Sequence, residues 1–284
     1  MQDTYHTAKE FPFSFFNPLL SSLLFISFAS QSHLMTLLKP IWTDTYKVAW
    51  HEATTGNRAS LVALCNYLQE TAWNHAEHLG FGFRTENGFE KAWVVVRLHI
   101  EVDRYPAWND KVTVETWPSG YKGYLAFREF RILNEENVVM ARATTTWLLI
   151  DSQSRRPSHL EFLDELELRV NTVKACGKEA PAVKQPEMMQ DFGSYRVRYY
   201  DLDMYQHVNN TRYIEMLVGA YTGDWFSNKL IKTLSVEFLK ESFLGDEVTV
   251  KSDGPAAMYN VLAGYETKEE KLLVKAAITL AEEH

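Results

Sequence analysis

Leu234-Ser-Val-Glu-Phe-Leu-Lys-Glu-Ser-Phe-Leu-Gly-Asp246-Glu-Val-Thr-Val-Lys251 repeats a stretch that the chain has already used. Setting Asp246 on Asp110 gives an offset of 246 − 110 = 136, and Leu98 then meets Leu234, Glu101 meets Glu237 and Val112-Thr-Val meets Val248-Thr-Val. In the first copy Val94, Val96, Leu98, Ile100 and Val102 share one parity, and Arg97, His99, Glu101 and Asp103 share the other. A period of two with one apolar face predicts a half-buried strand, followed here by a turn through Tyr105-Pro-Ala-Trp-Asn and a second strand from Lys111. The chain reads as an internal duplication.

A helix stands upstream of each copy. In the first half Ser60 is the predicted N-cap, Leu61, Leu64, Cys65, Leu68, Ala72, Ala76 and Leu79 recur at helical spacing, and Gly80 supplies the stop. In the second half Asn209 or Asn210 caps a shorter helix expected to end near Gly223. Aligning Tyr67-Leu-Gln69 with Tyr213-Ile-Glu215 gives an offset of 213 − 67 = 146, which leaves 146 − 136 = 10 extra residues between helix and strand in the first half. Each half is a helix followed by antiparallel strands, an α+β arrangement in which a curved sheet wraps one apolar helix.

Residues 171–191 contain Pro, Gly and Lys but no apolar period, and read as a linker across the surface. The expected division is 39–170 for the first domain, 171–191 for the linker and 192–284 for the second domain. Residues 1–38 read as an N-terminal extension, disordered or not native. Their Phe- and Leu-rich run from Phe11 is broken by Pro12, Asn17 and Pro18, so no stable membrane insertion is expected.

With 284 residues, 46% of them apolar, the chain can fill two modest cores. Its 29 Lys and Arg against 37 Asp and Glu give a net charge of −8, which argues against a nucleic-acid binder. Two cysteines, one in a helical apolar pattern and one in a polar stretch, indicate neither a disulfide framework nor a metal site. No metal and no cofactor are expected, and a reducing, cytoplasmic location fits best.

The duplication permits a comparison within one chain. The second helix mouth carries Asp203, Tyr205, His207, Asn209 and Asn210, where the offset of 146 places Asn57, Ala59, Leu61, Ala63 and Leu64 in the first. Glu241-Ser242 likewise stands opposite Tyr105-Pro106. Helix mouths present unpaired N–H groups that favour anionic or accepting ligands. The asymmetry predicts a division of labour: the plain copy holds an apolar ligand, and the armed copy does chemistry. Taken singly, Asp203, Asn209 and Asn210 are better read as cap and turn residues, His207 as a structural histidine and Glu241 as a solvated carboxylate; the combination with the repeat asymmetry favours chemistry.

Asp203-Met-Tyr-Gln-His207-Val-Asn-Asn210, Leu68-Gln-Glu-Thr-Ala-Trp-Asn-His75, Ile100-Glu-Val-Asp-Arg-Tyr-Pro-Ala-Trp108, Ala141-Arg-Ala-Thr144 and Arg155-Arg156, in this order, resemble the plant and bacterial acyl-acyl carrier protein thioesterases. The resemblance runs from about Tyr46 to about Thr279. It implies two tandem hotdog domains and hydrolysis of fatty acyl thioesters, ending fatty acid synthesis. The implied partner is an acidic acyl carrier protein bearing the acyl chain on phosphopantetheine. It also implies a catalytic set of aspartate, asparagine, histidine and glutamate in the second half. These fall on Asp203, His207 and Glu241, with Tyr205 at the asparagine position, which leaves Asn209 as a stand-in. Ser242 occupies the place where some relatives carry a cysteine, so a cysteine nucleophile is not available.

Thioester hydrolysis needs a positioned water, a base, and donors for the oxygen that gains charge. Glu241 is the expected base, His207 orients the water or polarises the substrate, and Asp203 fixes either the His207 tautomer or the loop. N–H groups following His207 are the expected oxyanion donors. Trp93, Met140 and Trp147 are expected to shape the acyl pocket, with Arg198 and Arg212 binding the substrate. Arg196, Arg198, Arg212, Lys229, Lys232 and Lys240 are candidates for a local basic patch facing the acidic carrier. Three other readings are an acyl-CoA thioesterase, a hotdog dehydratase and a non-catalytic acyl-binding hotdog protein. The expected assembly is a monomer or homodimer.

Overall fold

The computed structural model describes residues 39–282 apart from 83, 86–87, 167–170, 222–228 and 255–257. The expected extension 1–38 lies outside the described residues, and the second helix, expected to end near Gly223, ends at Gly219 with Ala220 as its C-cap. Ten strands form one antiparallel sheet: β1 (Trp42–Lys47), β4 (Lys91–Val102), β5 (Lys111–Lys122), β6 (Leu125–Leu133), β7 (Val139–Asp151), β8 (Gln190–Arg196), β9 (Lys229–Phe238), β10 (Glu247–Ser252), β11 (Tyr259–Glu266) and β12 (Lys271–Glu282). A separate hairpin pairs β2 (Arg84–Thr85) with β3 (Gly88–Phe89). The sheet order β1-β5-β6-β7-β4-β9-β12-β11-β10-β8 is two five-strand halves joined edge to edge.

The seam explains the repeat. β4 and β9 pair antiparallel with His99 opposite Ser235, Leu98 opposite Val236 and Ile100 opposite Leu234. His99 and Ser235 are also mates at the offset of 136, so a pseudo-two-fold axis passes between them. Within β4 the parity expected from Val94 to Val102 holds only from Leu98 onward, because the pairing with β7 slips between Val95 and Arg97 and makes Val96 a bulge.

α1 (Leu61–His78) is capped by Ser60, whose Oγ accepts the Ala63 N–H at 3.0 Å. α2 (Asn210–Gly219) is capped by Asn209. Leu64, Leu68, Ile214 and Leu217 are fully buried on the faces turned to the sheet. Each such side chain contributes about 1.5–3 kcal/mol. On β11 a Cβ at Gly264 would lie 2.9 Å from Val274 Cγ1 of β12, so glycine leaves room for that valine side chain.

The second parity of β4 and β9 is only partly solvated, against the half-buried reading: His99, Ser235 and Glu237 are buried, while Arg97, Glu101 and Asp103 keep contact with solvent. The linker crosses the sheet and bonds β5, β6 and β9 in turn: Trp117 Nε1 donates to Val173 O at 3.0 Å, the Ala175 N–H to Glu129 at 3.0 Å, and the Val183 N–H to Glu237 at 3.1 Å. Glu237 also pairs with Arg97 and Lys275, each at 2.8 Å. Burial pushes its carboxyl up, but the two cations and the Val183 N–H outweigh this and hold it below its ordinary value.

Candidate active site

The turn between β8 and α2 is built by backbone bonds. A 3-10 turn at Tyr199–Asp201 is closed by Asp201, whose Oδ2 accepts the Arg198 N–H at 2.7 Å. The Asp203 N–H donates to His207 O at 2.8 Å, and Gln206 takes a positive φ of 64° to close the loop. Asp203 Oδ1 accepts the N–H groups of Tyr205 at 2.8 Å and of His207 at 3.3 Å. Of the two roles open to Asp203, the contacts are those of fixing the loop. Burial pushes the Asp203 carboxyl up, opposed by those two N–H groups and by the His207 ring, with Glu241 adding to the rise.

Glu241 reaches the mouth from the turn after β9. Its Oε1 lies 3.4 Å from His207 Nδ1, and the His207 ring packs edge-on against Phe243. Both Glu241 oxygens also contact Arg155 Nη2. Arg155 sits in the turn after β7 at φ 58°, on a loop that Asp151 ties by accepting the Ser154 N–H and Oγ–H, each at 2.7 Å. It is therefore a residue of the first half that enters the second half's site. In the sequence Arg155 stands out only through the family resemblance; the signal for its role is the Asp151-Ser-Gln-Ser turn, which presents the residue that follows it.

A cavity of about 790 Å³ runs from this mouth into the first half. Asp203, Tyr205, His207, Asn209, Asn210, Glu241 and Arg155 line it at one end, and Trp73, Ala76, Trp93, Val95 and Trp147 from α1, β4 and β7 line it further in. Trp93 and Trp147 thus stand where a pocket role needs them. Met140 does not: it sits at the other end of β7, buried in the core, where its carbonyl accepts the Asp103 and Arg104 N–H groups. Arg198 and Arg212 are not among the lining residues either. Arg198 lies on the exposed turn, and Arg212 is paired with Glu215 at 2.5 Å. Lys232 leaves the expected basic patch as well, since it contacts Asp103 of the first half at 3.6 Å.

Asn209 spends its Oδ1 on the Thr211 N–H at 2.9 Å and the Thr211 hydroxyl at 3.0 Å, which is the capping role. Tyr205 is 37% exposed on the lip. The expectation that several N–H groups after His207 are open to a ligand needs correction. Val208 donates to Ser242 O at 3.1 Å, Asn209 to Asp201 O at 2.9 Å and Thr211 to the cap, which leaves the N–H of Asn210, a residue that lines the cavity, without an acceptor among the described residues.

A cavity that begins at a carboxylate–imidazole pair in one half and continues between apolar walls of the other calls for comparison with known chains. The model of the acyl-ACP thioesterase N-terminal domain matches residues 39–166, and that of the C-terminal domain matches residues 184–283. The chain belongs to the acyl-ACP thioesterase family. Similar members include a chloroplastic dodecanoyl-[acyl-carrier-protein] hydrolase of Cinnamomum camphora, 28% identical over 71% of this chain and 56% of that one. A chloroplastic oleoyl-acyl carrier protein thioesterase 2 of Arabidopsis thaliana is 29% identical over 78% of this chain and 66% of its own. The chain thus spans less than two thirds of the length of these relatives. The fold is that of a 12:0-ACP thioesterase from Umbellularia californica, with a TM-score of 0.74 at 21% identity over 86% of this chain and 98% of that one. It is equally that of an acyl-ACP thioesterase from Bacteroides thetaiotaomicron, at TM-score 0.70 and 22% identity over 88% and 99%. The family's fold is the tandem hotdog, and no described helix is long and apolar enough to cross a membrane.

Proposed function

We propose that this protein hydrolyses fatty acyl thioesters of acyl carrier protein to free fatty acid and carrier. The observation that carries the reading is the shared cavity, with His207 and Glu241 at its mouth and the tryptophans of the first half along its walls. A thioester lodged with its acyl chain inside presents its carbonyl carbon at the Glu241 end. Glu241 takes a proton from a water as the water oxygen attacks that carbon. The oxygen that gains charge is met by the Asn210 N–H and by His207 Nε2. Collapse of the tetrahedral intermediate breaks the C–S bond, and Glu241 returns the proton to the leaving thiolate. Arg155 fixes the Glu241 rotamer without blocking it, because a carboxylate has about four lone-pair sites to share between cation and water.

Asp203 holds the loop on which His207 rides, and Asn209 holds the helix whose first N–H faces the carbonyl. Tyr205 offers a hydroxyl at the lip where it can meet the phosphopantetheine arm. The location remains assigned to a reducing compartment, the cytoplasm, on the two free cysteines Cys65 and Cys176; the two plant relatives are chloroplastic. The test is thiol release from an acyl carrier protein panel and from acyl-CoA of matched chains. Wild type should release thiol from the carrier series, and Glu241→Ala should lose about 10²–10⁴-fold, the range for a general base. Faster release from CoA than from carrier makes the protein an acyl-CoA thioesterase. Acyl binding without release makes it a binding protein.

A further inference from the structure

The cavity is not apolar throughout. Arg128 of β6 lines its wall, with Nη1 donating to His75 Nδ1 at 3.0 Å and to Thr116 Oγ1 at 3.3 Å. A guanidinium has five N–H donors in a planar fork, and these two bonds leave the rest without a protein partner among the described residues. No described carboxylate lies within ion-pair distance. Burial alone pulls the guanidinium down to about 10, with no charged neighbour acting on it, and it stays a cation at neutral pH.

Two buried carboxylates are compensated more fully. Glu129 is wholly buried and receives Ser119 Oγ at 2.8 Å, the Ala175 N–H at 3.0 Å and Lys174 at 3.4 Å. Glu237 has two cations and an N–H. Desolvating a charge is costly unless a partner and hydrogen bonds offset it. A plain methylene chain laid beside Arg128 would displace water from the guanidinium and return nothing, whereas an oxygen on that chain would complete it.

We propose that the acyl cavity selects a chain carrying an acceptor oxygen, as a hydroxyl, oxo or second carboxyl group, seated against the Arg128 guanidinium. This rests on the cavity being the acyl site of the proposed hydrolase. The competing explanation is that Arg128 only ties β6 to α1 through His75 and Thr116. That role uses Nη1 alone and predicts no preference among ligands.

The test has an equilibrium arm that does not need turnover. Free fatty acids of one chain length, either plain, hydroxylated, oxo-substituted or dicarboxylic, are competed against a fluorescent fatty acid on the full chain. The same acyl groups are then offered as carrier thioesters. At least one oxygenated class should bind about 10–100-fold more tightly than the plain acid, as expected for a charge-assisted hydrogen bond, and the class that does so identifies the group. Arg128→Met should abolish the preference, and Arg128→Lys should keep part of it. Equal or tighter binding of the plain acid by wild type, or an unchanged preference in Arg128→Met, overturns the proposal. Should Arg128→Met fail to fold, the wild-type series and Arg128→Lys still decide. A binding preference with no hydrolysis of any thioester would sink the hydrolase and leave the selectivity standing; hydrolysis without preference would do the reverse.

Discussion

The two helix mouths share a backbone and differ in almost every side chain. Thr54 N–H donates to Arg58 O as Asp203 N–H does to His207 O, both at 2.8 Å. Ala59 N–H donates to Pro106 O as Val208 N–H does to Ser242 O, and Ser60 N–H to Glu52 O as Asn209 N–H does to Asp201 O. Asn57 and Gln206 both take a positive φ, of 55° and 64°. These pairs fix the offset at the mouths as 209 − 60 = 149, which corrects the value of 146 and makes the insertion after α1 149 − 136 = 13 residues. The true mates of Asp203, His207 and Glu241 are Thr54, Arg58 and Tyr105. The plain mouth is thus not apolar; it keeps the loop's hydrogen bonds and lacks a carboxylate–imidazole pair. What the duplication preserved is the scaffold that aims a side chain at the mouth, and what it varied is the side chain aimed.

The sharpest way to break this comparison is to truncate the mates. His207→Ala should lower kcat/KM on acyl-carrier substrate by about 10²–10³-fold, as removal of a positioned oxyanion donor does. Arg58→Ala, at the same backbone position of the other mouth, should leave kcat/KM within about two-fold, a change of under about 0.5 kcal/mol. Steady-state kinetics on the two variants decides the matter. Comparable losses would mean that both mouths take part in one reaction.

The strand repeat and both helices were legible because strand parity and helical spacing are local signals, and Ser60 and Asn209 cap where they were expected to. The mouth alignment went wrong because Tyr67 and Tyr213 look alike without being mates; turn geometry, which no side-chain identity encodes, sets the offset. Glu241 was legible through the repeat, since the offset of 136 carried it opposite Tyr105. Arg155 was not, because its approach depends on β7 ending beside a turn of the other half. Met140 was misread because nothing in the sequence says at which end of a thirteen-residue strand the cavity opens. Arg128 was missed for the opposite reason: an arginine on an alternating strand reads as solvent-facing unless the inward parity is known.

Glu237 and Glu101 are mates at the seam, and they sharpen the comparison in stability. Glu237 is 6% exposed and holds Arg97, Lys275 and the linker N–H of Val183. Its loss in Glu237→Ala strands two cations, and should cost about 3 kcal/mol. Glu101 is only partly covered, with His99 Nε2 at 3.0 Å and Lys178 at 3.7 Å, and Glu101→Ala should cost about 1 kcal/mol or less. Denaturant melts of both variants measure the difference. The Glu237 contribution should be present above 4.5, the value in the unfolded chain, and fade as pH falls through its lowered folded value.

The two caps should behave alike, and that similarity tests whether Asn209 is more than structural. Ser60→Ala and Asn209→Ala each remove one side-chain acceptor for a helix N–H and should each cost about 1 kcal/mol. Asn209→Ser, which keeps a cap, should restore stability. If it also restores kcat, Asn209 acts through the helix and not on the substrate. If kcat stays low in a fully stable Asn209→Ser protein, the amide itself meets the thioester.

The smallest effect separates Asp203 from Thr54, its mate. Burial holds the Asp203 carboxyl above 3.8, its value in the unfolded chain, so the folded protein binds that proton more tightly than the unfolded one. Below 3.8 both states are protonated and the group contributes nothing to the pH dependence. As pH rises through the raised folded value, ionising Asp203 costs stability, and the cost is constant above it. Asp203→Asn has no such ionisation. Its stability relative to wild type should therefore rise as pH climbs above 3.8 and level off beyond the raised folded value, whereas Thr54→Val should show no pH-dependent difference from wild type in the same series. Melting curves across that range give the sign directly. A difference that moved the other way would mean that the Tyr205 and His207 N–H groups outweigh burial at this carboxylate, and that the loop favours Asp203 as an anion.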